Sequence, residues 1–199
     1  MKNLESILRT DLYGAVAPLL VTFIGGVEGA WRVERIVAVR GAGLPPAGRL
    51  DVIEGNAPAA SAGDGWSLRG VTSNLRYTTE AERLALQARQ PPLGRASATK
   101  AALIPVRKSD RWWSLAQDER RAIFEERSHH VDTGLRYLPA VARRLHHCRD
   151  LGEPFDFLTW FEYAPEDEKD FEQLLGQLRR TEEWAYVERE VDVRVSRDR

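Results

Sequence analysis

An α+β fold is predicted by three features of the chain. Val187, Val191, Val193 and Val195 alternate with Glu188, Glu190, Asp192 and Arg194, the two-residue period of a strand with one wet face. Phe171, Leu174, Leu175 and Leu178 fall at i, i+3, i+4 and i+7, the buried stripe of an amphipathic helix. The first half, by contrast, is a series of short apolar runs punctuated by Gly and Pro. In the second half the order strand, helices, strand, helix, strand implies an antiparallel sheet with helices on one side. Two such halves joined near Pro91 make the simplest architecture.

In the first half, residues 19–24 read as a buried strand ending at the Gly25-Gly26 turn, and residues 31–39 as a second. The GAGLPPAG stretch (41–48) is a loop, 50–54 a short strand, and 55–65 a small, polar hairpin tip. Residues 66–72 return as a strand, and 73–79 carry polar groups with Tyr77. Residues 80–89 have helical composition, closed by Pro91-Pro92.

In the second half, residues 101–107 form a short apolar run in which Pro105 suggests an edge or a distorted strand. Ser114 with Gln117 three residues later is a capping-box signature for a helix through about Ser128. A further helix is predicted over about 134–148, with Leu138, Val141, Leu145 and Cys148 along one side. Residues 155–163 read as a strand with Phe155, Phe157, Thr159, Phe161 and Tyr163 on one face and Leu158 and Trp160 on the other, so both faces are covered. Pro165 and the acidic run Glu166, Asp167 and Glu168 suit the N-terminus of the last helix, and Arg179 and Arg180 its C-terminus.

With 199 residues the chain is long enough for one large or two small domains with a proper core. A formal net charge of -1 supplies no basic field for nucleic acid or an acidic membrane. The single cysteine, Cys148, excludes an intrachain disulfide and argues against a cysteine-based zinc cage. Residues 15–27 are apolar, but Glu5 and Asp11 flank the run, Pro18 interrupts it, and no small-x-small cleavage pattern follows. The run is also too short to span a bilayer. The cytoplasm is therefore the expected location.

All four histidines lie in one stretch, EERSHHVDTGLRYLPAVARRLHH (125–147), as the pairs His129-His130 and His146-His147. Gly134 and Pro139, between the pairs, bend or limit a helix. By residue type these histidines suit surface or hydrogen-bonded core positions as well as they suit a site. A zinc protease is disfavoured because no His-Glu-x-x-His occurs. Glu126-x-x-His129 matches one half of a di-iron ligand set, but no second copy is present and the chain has too much sheet. A b-type haem needs one histidine and an apolar slot, which a histidine-poor chain can provide.

The runs IPVRKSDRWWSL, EERSHHVDTGLRYLPAVARRLHHCRDLGEPFDFLTWFEYAPEDE and RRTEEWAYVEREVDVR, with TSNLRYTT before them, are similar to the chlorite dismutase family. The resemblance covers about residues 66–195 and is greatest to the short, often dimeric lineage. It implies a ferredoxin-like α+β barrel, with a strand-rich half (1–98) and a half that holds haem b (99–199). It implies His130 as the axial ligand of the iron, Arg143 as the distal arginine, Glu183 as the carboxylate bonded to the proximal imidazole, and Gln90 as the glutamine that holds the arginine. Asn74, Ile104, Lys108 and Trp112 match positions that contact the haem and its propionates, and Tyr77 is a looser match. The activity implied is conversion of chlorite, a small anion, to chloride and dioxygen by a homodimer, with no nucleic-acid or membrane partner.

By residue type alone Trp112 and Trp113 suit a core, Lys108 a surface and Glu183 a helix end; the matching runs alone raise Trp112, Lys108 and Glu183 to site residues. Arg144, His129, His146 and His147 are expected to be structural or solvated. A coproheme decarboxylase is the second enzyme reading. It is disfavoured because the position of that enzyme's reactive tyrosine is taken by Ile104 and because such enzymes usually lack an arginine at the place of Arg143. A haem-binding or haem-sensing protein without turnover is the non-catalytic reading, for which a distal cation offers little.

Overall fold

The computed structural model describes residues 19–55, 65–73 and 77–198. Among them, eight strands close into one antiparallel barrel: β1 (Leu20–Gly26), β2 (Trp31–Arg40), β3 (Arg49–Glu54), β4 (Trp66–Thr72), β5 (Lys100–Lys108), β6 (Ala142–His147), β7 (Phe157–Tyr163) and β8 (Val187–Ser196). Around the barrel they run β1-β3-β2-β8-β5-β7-β6-β4, and β4 returns to β1. The first four and the last four strands repeat one order: in each set the first strand lies between the fourth and the third, with the second beyond the third. The sets meet along β2 and β8, and again where Val71 and Thr72 of β4 pair with His147 and His146 of β6. Every strand thus has a partner on each side, although β2–β3 and β4–β6 are joined over two residue pairs each.

Strand alternation decides what lies inside. Val21, Phe23, Leu68, Leu103, Trp160 and Val193 belong to a buried cluster that fills the barrel, each worth about 1.5–3 kcal/mol of apolar burial. β1 runs on through Gly25 and Gly26, past the turn expected there, because both pair with β3; the Trp66 indole lies where a Gly25 Cβ would be. The outward residues of the last four strands form a second apolar layer, in which Ala102, Ile104 and Phe161 pack with Phe171, Leu174 and Leu175. The latter three come from α5 (Glu168–Leu178), whose predicted stripe is buried in full. The predicted helix over 80–89 is present as α1 (Glu80–Arg89), closed at its start by a capping box between Thr79 and Glu82.

The structure corrects four further sequence expectations. The helix expected to start at Ser114 and run through 128 is broken. α2 (Asp110–Trp113) ends at Ser114, whose hydroxyl donates to the Arg111 carbonyl; α3 (Gln117–Arg121) follows and passes into a π-helical turn, Ala122–Arg127. Its start is closed instead by Glu119, which accepts from the Ala116 N–H at 2.7 Å. The helix expected over 134–148 is absent: α4 (His130–Arg136) precedes Pro139, and Ala142–His147 is strand β6, paired with β7 over its whole length. Val141 joins the outer layer and Cys148 the barrel interior, so the apolar set that suggested one helix face is divided between two cores.

Pro105 is not on an edge. β5 lies between β8 and β7; Pro105 pairs with Leu158 of β7, while β8 pairs with Leu103 and Val106 on either side of it. Last, the polar face of β8 is largely dry. Glu188 is exposed, but Glu190, Asp192 and Arg194 are buried, bonded to one another or to Arg179 at the end of α5. Paired charges let this face be covered by a helix, as unpaired ones would not.

Candidate active site

A pocket lies between the outer wall of the last four strands and the helices that cover it. Alternation sends Ile104, Val106 and Lys108 into it from β5, Arg143 and Leu145 from β6, and Phe157, Thr159 and Phe161 from β7. Leu174, Leu175 and Leu178 of α5 and His130 of α4 complete the wall. Most of this lining is apolar, and its ionisable side chains include Lys108, His130, Arg143 and Glu183.

His130 and Glu183, 53 residues apart in sequence, meet here: the His130 Nδ1 lies 2.7 Å from Glu183 Oε2 and donates to it. The other carboxylate oxygen accepts from Lys108 Nζ at 2.7 Å. Lys108 is itself buried, with its ammonium 4.8 Å from the Trp112 ring centre and 5.3 Å from that of Trp184. Burial alone would raise the Glu183 carboxyl, but the charges of Lys108 and His130, with the hydrogen bonds from both, hold it down at about 2. The Glu183 N–H donates to Ser128 Oγ at 2.9 Å, and Phe124 stacks on the imidazole at 4.4 Å between ring centres. His129 is exposed and adopts φ 50°, a left-handed turn that starts α4 with His130, not His129, in the pocket.

Arg143 projects from β6, and burial draws its guanidinium pKa below the ordinary value. Gln90, at the end of α1, donates from Nε2 to the main-chain carbonyl of Arg143 at 2.6 Å. The contact falls on the backbone of β6, so Gln90 fixes the strand from which the arginine extends. Ile104 and Trp112 line the pocket, as does Tyr77 with φ 62°. Asn74 lies outside the described residues. Lys108 is turned toward Glu183 and away from solvent. His146 points into the barrel, donating from Nδ1 to the Leu158 carbonyl at 3.0 Å. Arg144 pairs with Glu54.

Three buried polar atoms around the pocket, Tyr77 Oη, Thr78 Oγ1 and Trp112 Nε1, have no hydrogen-bond partner among the described residues. Orphans of this kind are rare in a folded protein, and on a pocket wall they are atoms to which a ligand can supply the partner. Among the described residues no three of His, Cys, Asp and Glu gather as a metal cage. With Nδ1 engaged by Glu183, the His130 ring keeps Nε2 for a ligand bond. One free imidazole nitrogen, apolar walls and unpaired polar atoms fit a haem with its polar substituents. Sequence reasoning missed Phe124, Ser128 and Trp184; Ser128 and Trp184 lie within the matching runs, close to His130 and Glu183, and that proximity was the available clue.

The sequence profile described as "Chlorite dismutase" matches residues 56–199. The solved structure of dimeric chlorite dismutases from Nitrobacter winogradskyi is 56% identical, with a TM-score of 0.82 over 89% of this chain and 99% of that one. A mutant chlorite dismutase from Candidatus Nitrospira defluvii in complex with cyanide is 19% identical, with a TM-score of 0.61 over 90% and 91% of the two chains, and shares the fold. No helix of the described residues is long and apolar enough to cross a membrane. With most of its length matched by the family profile and a 56% identical solved relative aligned over 89% of it, the chain belongs to the chlorite dismutase family.

Proposed function

We propose that this chain is a haem b enzyme that converts chlorite to chloride and dioxygen, in which His130 would hold the haem iron. The observation that carries the reading is the His130–Glu183–Lys108 array sharing one apolar pocket with a half-buried Arg143. Haem supplies the redox chemistry of oxygen-atom transfer. The chain's residues do the rest. Glu183 fixes the imidazole tautomer and raises its basicity. Lys108 keeps that carboxylate ionised although it is buried. Arg143 stays cationic and offers a small anion a charge in a medium where each charge acts strongly. Both Cl–O bonds break and one O–O bond forms; chlorine is reduced to chloride as the two oxygens are oxidised to dioxygen, so no outside reductant or proton is required.

The repeated strand order supports reading residues 1–98 and 99–199 as two ferredoxin-like halves, with the haem in the second. The 56% identity to a dimeric relative supports a homodimer. The deciding experiment reconstitutes the protein with haem and follows oxygen with an electrode after chlorite is added. One dioxygen per chlorite is expected; a haem-loaded protein that releases none overturns the reading.

A further inference from the structure

Between the π-helical turn and α4 the chain bends through Ser128 and the left-handed His129. α4 spans seven residues, too few to be stable on its own. Its N-cap residue, His129, makes no side-chain cap bond. The orphan N–H groups of Val131 and Asp132 are received instead by Glu125, whose carboxylate oxygens lie 2.6 and 3.2 Å away. The Glu125 carbonyl accepts from the His129 N–H at 2.9 Å. One residue therefore holds the bend from both sides, and its negative charge suits the positive end of the helix. The segment is tied to the site again by Phe124, stacked on His130, and by Ser128, which receives the Glu183 N–H.

We propose that Glu125 is a positioning residue for His130: by capping the helix that begins at His130, it aims the imidazole at Glu183 and into the pocket. The inference rests on the reading of His130 as axial ligand, but the orientation it describes exists without haem. Nothing else among the described contacts supplies the cap, so removal of the carboxylate leaves the first turn of α4 free to unwind and the imidazole free to swing.

The test compares the parent protein with E125A and E125Q. In haem-free protein, the NMR resonance of the His130 Nδ1 proton, hydrogen-bonded to Glu183, is expected to weaken or move upfield in E125A, while the His146 resonance from the barrel interior stays in place. E125Q keeps one oxygen for the Val131 N–H and is expected to restore most of the parent signal. In haem-loaded protein, E125A is expected to broaden the ferrous iron–histidine stretching band and to release haem about fivefold faster, the scale of a lost helix cap. Should E125A not fold, E125D, too short to reach both N–H groups, carries the same expectation. An unchanged His130 resonance in E125A or E125D, or a failure of E125Q to restore it, overturns the proposal. A parent protein that takes up no haem overturns the reading of the site instead, and the His130 resonance still decides the role of Glu125.

Discussion

The His130 Nδ1 stands 2.7 Å from Glu183 Oε2, and the second oxygen of that carboxylate stands 2.7 Å from Lys108 Nζ. A single buried carboxylate thus serves an imidazole and an ammonium at once. Removing Glu183 alone strands the Lys108 charge in the core. Glu183→Leu is expected to destabilise the haem-free protein by about 3–5 kcal/mol, and Lys108→Met to be costly as well. The double variant should be milder than the sum of the two, because neither partner is left unpaired. Urea unfolding of the four proteins measures the coupling; additive losses would show that the pair is not coupled.

The two adjacent histidines are expected to behave oppositely. His130→Ala should abolish or strongly weaken haem uptake, because His130 lines the pocket. His129→Ala should leave the Soret band nearly unchanged, since His129 is exposed. Haem titration of both variants checks this, and the reverse pattern moves the ligand by one residue.

Arg143 is expected to act on turnover more than on haem binding. An arginine at this pH is no proton donor, so its role is electrostatic and positional. Arg143→Ala should lower the rate by about 10²- to 10³-fold and should let hypochlorite, which is chlorite less one oxygen atom, escape and bleach the haem. Chlorite turnover with and without methionine as scavenger measures both effects. Full oxygen yield, with a lifetime indifferent to methionine, would exclude this role.

His146 makes the barrel sensitive to acid. Its Nδ1–H donates to the Leu158 carbonyl, Nε2 has no hydrogen-bond partner among the described residues, and burial pushes the imidazole pKa down to about 4. The unfolded chain, with an ordinary histidine near 6.5, takes up the proton first. Stability is therefore full above about pH 6.5 and falls as the pH drops toward 4, by about 3 kcal/mol in all. In His146→Phe that part of the slope should vanish. Urea midpoints measured between pH 7 and pH 4 provide the check; equal slopes for parent and variant would sink the account.

The assembly state is open to direct measurement. The family relative is dimeric, and two valines of β2, Val37 and Val39, stand 45% and 41% exposed on the outer wall of the first four strands. Light scattering is expected to return twice the chain mass, and a monomer or a pentamer would contradict the homodimer.

The chain's local pattern determined which segments are regular and, in most cases, what they are. The i, i+3, i+4, i+7 stripe from Phe171 to Leu178 and the alternation from Val187 to Val195 carry their own geometry, because side-chain direction follows backbone period. The matching runs named His130, Glu183, Arg143 and Lys108, and the pocket gathers all four. Tertiary structure alone decided the remainder. AlaArgArgLeuHisHis became β6 and not a helix because β7 and β4 were there to receive its backbone hydrogen bonds. The polar face of β8 became dry because α5 lies over it and Arg179 meets its carboxylates. Lys108 turned inward because Glu183, 75 residues later, offered it a charge, and no local pattern reports a partner so distant. Periodicity encodes the faces of an element; what covers each face is a property of the closed barrel.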